Sequence, residues 1–200
     1  SDHIGGAKYV LENFHVGALV LGPRPFPAAM ETELIAICER EGVPVQRVAR
    51  GDRFALGDAT VEVLHPPRES PPGEKENNLS LTVRVSWPGF SALLPGDVER
   101  WGEEQLVRAG PAAQVLKVPH HGSQTSSSPA FVRAVNPQVA IVSVGPKGRG
   151  SVLKPEVIAR YRENGSTVLR TDLVGGVRIR PAGKKLEIEP KGVDGAVVEL

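Results

Sequence analysis

The chain contains a single cysteine, Cys38, which excludes an internal disulfide. It has one methionine, and aromatic residues make up only 4% of its 200 residues. So few rings leave no stacking platform of the kind that binds single-stranded nucleic acid. No apolar run approaches the roughly 18–20 residues of a membrane span, and no leader peptide is visible. Charge of one sign is also lacking, since the formal net charge is +1. An anionic ligand must therefore be drawn by a local patch or by bound cations, not by the bulk field.

What is present points to a folded domain. Apolar residues make up 40%, enough for a buried core, and the length suits one large domain. Glycine (22) and proline (18) are plentiful, and arginine outnumbers lysine 16 to 8, a composition that leans toward a thermophilic or high-GC source. Residue 1 falls inside a motif, so the start reads as a cut.

Periodicity and turn chemistry predict helices over 3–12, 27–41, 99–109, 129–135 and 155–163, the first capped by Asp2. Short apolar runs predict strands at 16–21, 45–48, 115–118 and 139–144. Gly57-Asp58 and Pro88-Gly89 read as hairpin turns between 53–56 and 60–64, and between 79–85 and 90–94. Residues 167–170, 176–180 and 185–189 look like a terminal antiparallel set. Strands interleaved with helices predict an α/β layered domain with two mixed sheets and helices outside.

The chemistry gathers where apolar runs end. Leu93-Leu94-Pro95-Gly96-Asp97 delivers a carboxylate that can bridge divalent ions; its plainer reading is a helix N-cap. Leu116-Lys117-Val118-Pro119-His120-His121-Gly122-Ser123 delivers two imidazoles. Read as an extended strand, it would point them to opposite sides. Ser123, Thr125, Ser126, Ser127 and Ser128 then offer hydroxyls and N–H groups before a helix, an anion cradle or simply a serine-rich loop. Asp2-His3 at the start forms a third cluster. His15 and His65 read as structural. Lys117, Lys147, Arg149 and Lys154 could line the same rim, or be scattered solvated charges.

Together these residues resemble a metallo-β-lactamase-like domain, and more narrowly the C-terminal domain of ComEC-type DNA-internalisation competence proteins. Asp2-His3-Ile4-Gly5-Gly6 resembles the end of the superfamily's His-x-His-x-Asp-His motif with its glycines. Asn77-Asn78-Leu79-Ser80-Leu81, Leu93 to Glu99, and the run from Leu116 to Ser128 resemble segments of the competence branch. So do Ser143-Val144-Gly145, Arg170-Thr171-Asp172 and Gly175-Gly176.

The resemblance implies a four-layer αββα sandwich over residues 1–200, truncated at its N-terminus, with the first strands and the His-x-His pair lying upstream. It implies that Asp2 and His3 bind one metal, that Asp97 bridges two, and that His120 or His121 serves as ligand or phosphate contact. Asp2, Asp97 and His121 are the implied catalytic residues. Asn78, Lys117, Ser123, Thr125, Ser126 and Lys154 are the candidates for substrate or phosphate contact. The implied cofactor is a divalent metal, Mn or Zn, at two sites. The implied reaction is metal-assisted hydrolysis of a phosphodiester.

The implied substrate is single-stranded DNA, the strand that is not imported. The implied partner is the remainder of a polytopic membrane channel, with this soluble domain on the extracytoplasmic face. Lys154 stands where other members carry a metal histidine, and a lysine is a cation at neutral pH and a poor ligand. With that change and without the upstream histidines, this stretch alone is expected to hold metal partially or not at all. Two other readings stay open: a catalytically degenerate domain that guides or docks DNA, and another hydrolase of the same fold, a phosphodiesterase or lactonase.

Overall fold

The computed structural model describes residues 3–24, 28–145, 152–182, 185–190 and 198–199. Helix α1 (Ala7–Asn13) and helix α2 (Ala28–Glu41) pack around Leu11, Leu34, Ile37 and Cys38. Beside them strands β1 (Leu19–Leu21) and β2 (Val45–Arg47) pair in parallel. Helix α1 starts later than expected because residues 3–6 form turns; Gly5-Gly6 resist helix entry.

A seven-stranded sheet dominates the molecule. Its first half is antiparallel: β3 (Arg53–Leu56), β4 (Ala59–His65), β5 (Thr82–Trp87) and β6 (Phe90–Leu94), joined in part by the two hairpins expected from the sequence. The strand expected from 79 begins only at Thr82, because 77–79 form a 3-10 turn. The second half runs parallel: β6 to β7 (Val115–Lys117), β8 (Val139–Val142) and β9 (Thr167–Arg170). Helices α3 (Arg100–Ala109), α4 (Pro129–Val135) and α5 (Pro155–Glu163) make the three crossovers.

The segment 167–170 was expected among the terminal antiparallel strands. It instead joins the large sheet parallel to β8, because a crossover helix must return the chain in the same direction. After the short helix α6 (Thr171–Val174), strands β10 (Val177–Ala182), β11 (Lys185–Pro190) and β12 (Val198–Glu199) form a separate antiparallel sheet.

Adjacent residues of the parallel strands face opposite ways. Leu93, Leu116 and Ala140 pack with Leu106, Phe131 and Tyr161 of the three helices. Val115, Val139 and Leu169 pack with Ile188 of the second sheet. Truncating a fully buried side chain such as Leu116 or Phe131 costs about 2–5 kcal/mol. The result is an α/β architecture, a large mixed sheet flanked by helices. Because β6, β7 and β8 share one direction, their C-terminal ends open on one edge. Crevices beyond the carboxyl ends of parallel strands are where α/β sheets bind ligands.

Candidate metal and phosphate site

The end of β6 aims Asp97. Gly96 has φ +65, and a Cβ there would lie 2.8 Å from Ser80 Cβ, so the chain can pass this close to Ser80 only as glycine. Ser80 Oγ accepts from the Asp97 N–H at 3.1 Å. Asp97 is not the helix cap; Glu99 occupies that position and makes no capping bond.

The end of β7 separates the two histidines by a different device from the extended strand expected. Residues Pro119–Gly122 form a tight 3-10 turn in which His120 (φ 47, ψ 41) and His121 (φ 52, ψ 24) are both left-handed. Each such residue costs about 1–2 kcal/mol. Main-chain bonds hold the turn: His120 N–H donates to Gly96 O (3.2 Å), Ser123 N–H to His120 O (2.9 Å) and Lys154 N–H to Gly122 O (3.0 Å). A Cβ on Gly122 would strike Leu153 Cδ1.

His121 turns toward Asp97. Its Nδ1 lies 2.7 Å from Ser143 O, so that nitrogen carries the proton and donates. Its Nε2 then offers a lone pair, 3.1 Å from His3 Nε2 and 3.7 Å from Asp97 Oδ1. His3 Nε2 lies 2.9 Å from Asp97 Oδ2. One ligand atom from each of His3, Asp97 and His121 lies within 4.8 Å of the others.

The donor set fits a divalent cation. Metal–ligand bonds of about 2.0–2.2 Å put neighbouring donors about 3–3.5 Å apart, close to these separations. Asp97 Oδ1 is buried and makes no hydrogen bond among the described residues. A backbone carbonyl behind a ligating imidazole is the usual outer support of a metal histidine. Lys117 sits beside the cluster, its Nζ 3.7 Å from Asp97 Oδ1 and 3.4 Å from Gly96 O.

His120 turns the other way, into a polar cluster around Glu99. Its Nδ1 lies 3.6 Å from Glu99 Oε1 and 3.2 Å from Thr125 Oγ1. Thr125 Oγ1 donates to Glu99 Oε1 (3.3 Å) and lies 3.0 Å from Ser123 Oγ. Lys75 Nζ is 3.7 Å from Glu99 Oε2.

Beneath this loop, buried Glu103 accepts from the N–H groups of Ser127 and Ser128, while Arg160 donates to Ser127 O and Tyr161 to Ser127 Oγ (2.9 Å). Burial pushes the Glu103 carboxyl above the ordinary carboxylate value, against the bonds from Ser128 and Ser127.

The other expected contact residues are placed differently. Ser126 is buried and donates to Val98 O (2.7 Å), so it braces the loop. Asn78 is buried, its amide nitrogen donating to Glu74 (2.8 Å) and its oxygen accepting from Gly102 N–H (3.2 Å), so its side chain ties α3 to the preceding loop. His65 donates to Asn78 O (2.6 Å) and packs edge-on against Trp101; burial pushes its imidazole down to about 4. Lys154 lies next to the histidine turn through its main chain, with its side chain exposed. Asp2, Lys147 and Arg149 lie outside the described residues.

Sequence reasoning quoted Glu99 and Ser143 within motifs without giving either a site role, and it missed Glu103. Glu103 could have been found as a carboxylate three residues before buried Leu106 on one helix face. Ser143 contributes a carbonyl, which no sequence pattern reports. A cleft of about 500 Å³ opens beside His3 and Asp97.

No family model matches the chain. It is similar to ComE operon protein 3 of Bacillus subtilis, 35% identical over 182 residues, covering 90% of this chain and 23% of that protein. It is similar to competence protein ComA of Neisseria gonorrhoeae, 39% identical over 52% of this chain and 15% of that protein. Recombination protein 2 of Haemophilus influenzae is 34% identical over 57% of this chain and 14% of its own length. The chain thus spans less than a quarter of the curated relatives it matches. Their names indicate a ComEC-type competence protein family. Among the described residues, no helix is long and apolar enough to cross a membrane.

Proposed function

We propose that this chain is a metallo-β-lactamase-like, divalent-metal-dependent phosphodiesterase within a DNA-uptake competence protein, acting on the single strand that is not imported. The observation that carries the reading is the meeting of His3, Asp97 and His121 at one sheet edge, with the Ser143 carbonyl setting the tautomer of His121. A divalent cation held there supplies Lewis-acid stabilisation of negative charge on phosphoryl oxygens. The chain's own residues do the rest. Asp97 and the two imidazoles form the donor set, and Lys117 offsets phosphate charge beside them. Thr125 and Ser123 belong to the neighbouring polar cluster, where the His120 ring lies beside Glu99.

In this reading the domain works as part of a larger channel protein, on the extracytoplasmic side of the membrane. A DNA-guiding role without cleavage is favoured by one observation, the Lys117 ammonium near Asp97, which competes with a metal for that carboxylate. The test is cleavage of a single-stranded oligonucleotide by the whole protein with Mn²⁺, alongside Asp97→Ala. Metal-dependent cleavage that disappears in the variant supports hydrolysis. Binding without cleavage at any metal concentration supports guidance and removes the hydrolytic reading.

A further inference from the structure

The cleft beside the donor cluster has a composition that the hydrolytic reading does not use. Its walls come from separate elements: Leu21 closes β1, Met30 lies on α2, Leu79 ends the 3-10 turn, and Leu81 precedes β5. The same cleft is lined by His3 and Asp97 and by Arg24, whose guanidinium donates to Ser70 O at 2.8 Å. An apolar floor is therefore joined to two features that attract phosphate, a divalent-ion donor set and an arginine.

We propose that this cleft is a nucleoside slot, which takes one unstacked base and its sugar against Leu21, Met30, Leu79 and Leu81 while the adjoining phosphates meet the His3–Asp97–His121 cluster and Arg24. The inference rests on the phosphodiesterase reading for what happens to the phosphate, but not for the binding itself. A volume of about 500 Å³ is within the range of small-ligand sites and suits one nucleotide. Aliphatic walls give the contact without hydrogen bonds to base edges, so the slot tolerates any sequence. A paired base cannot enter without leaving its stack, so the slot selects single strands over duplex.

The test measures binding to the whole protein, with and without Mn²⁺, of deoxycytidine 5′-monophosphate, deoxyribose 5-phosphate and inorganic phosphate. Wild type should bind the nucleotide at least about tenfold more tightly than the sugar phosphate, from burial of the base. Met30→Ala and Leu79→Ala should each remove several-fold of that preference while thermal melts report folding. Arg24→Gln should weaken nucleotide and sugar phosphate alike, and Leu56→Ser on β3 should change neither. Equal affinity for nucleotide and sugar phosphate would overturn the slot, as would a preference untouched by both wall variants. Displacement of the nucleotide by monomeric short-chain phosphatidylglycerol at equal concentration would also overturn it, in favour of a lipid. Nucleotide preference without oligonucleotide cleavage leaves the slot standing and removes hydrolysis; cleavage without nucleotide preference does the reverse.

Discussion

His121 donates through Nδ1 to the carbonyl oxygen of Ser143 at 2.7 Å, and this bond turns the other face of the imidazole toward Asp97 and His3. The bond joins the turn after β7 to the end of β8, so the ring's orientation is set by strand pairing, not by a neighbouring side chain. His120, one residue earlier, is sent to Glu99 by the same left-handed turn.

In the whole protein, Asp97→Ala should abolish tight divalent binding. Outer supports of metal ligands alone cost about 10–100-fold in affinity, so loss of a central donor should cost at least about a hundredfold. Titration calorimetry with Mn²⁺ checks this. Thermal stability should hold, because the Asp97 N–H keeps its bond to Ser80 Oγ.

Lys117→Met should move metal and DNA binding in opposite directions. Removing the ammonium 3.7 Å from Asp97 Oδ1 frees that oxygen and should tighten Mn²⁺ severalfold. If Lys117 also meets a phosphate, single-stranded DNA should bind more weakly, with the slope of log K against log salt reduced by about 0.7. Fluorescence anisotropy over a salt series reads that slope.

Much of this was legible in the sequence, and its failures have physical causes. Helices α4 and α5 ran where periodicity put them, because a proline opens each one and Ser128 caps α4 at Phe131 N–H. The directions of Asp97, His3 and His121 were not legible. They depend on a tight turn with two left-handed histidines and on a carbonyl from another strand. Asn78 and Ser126 read as ligand-facing because amides and hydroxyls bind phosphate; the fold spends both on buried backbone groups.

Glu103→Ala should loosen the 123–128 loop. It strands two N–H groups, those of Ser127 and Ser128, at a cost of about 2–4 kcal/mol. Glu103→Gln should recover only part of this, since one of its two ends is a donor facing a donor. Urea denaturation of both variants checks the order.

Gly122→Ala should destabilise by about 1–3 kcal/mol, from φ +84 and from the collision with Leu153 Cδ1. Adding Leu153→Ala should relieve the collision and leave the backbone strain. A double-mutant cycle in urea measures the two parts.

His65 sets an acid limit. Burial holds its imidazole at about 4 in the fold, against 6.5 ordinarily. Between these values the unfolded chain takes up a proton that the folded one refuses. This group's share of stability is therefore intact above about 6.5 and lost as pH falls through about 4, up to about 3 kcal/mol. His65→Phe should show a smaller loss between pH 7 and pH 4 in denaturant titrations.

The most direct measurement is the NMR spectrum of the histidine rings during titration with substoichiometric Mn²⁺. The imidazole signals of His3 and His121 should broaden first and together, ahead of those of His15 and His65, and Asp97→Ala should abolish that selectivity. Broadening that reaches all five histidines alike, or that leaves His121 sharp while others fade, would contradict the placement of a metal between His3, Asp97 and His121.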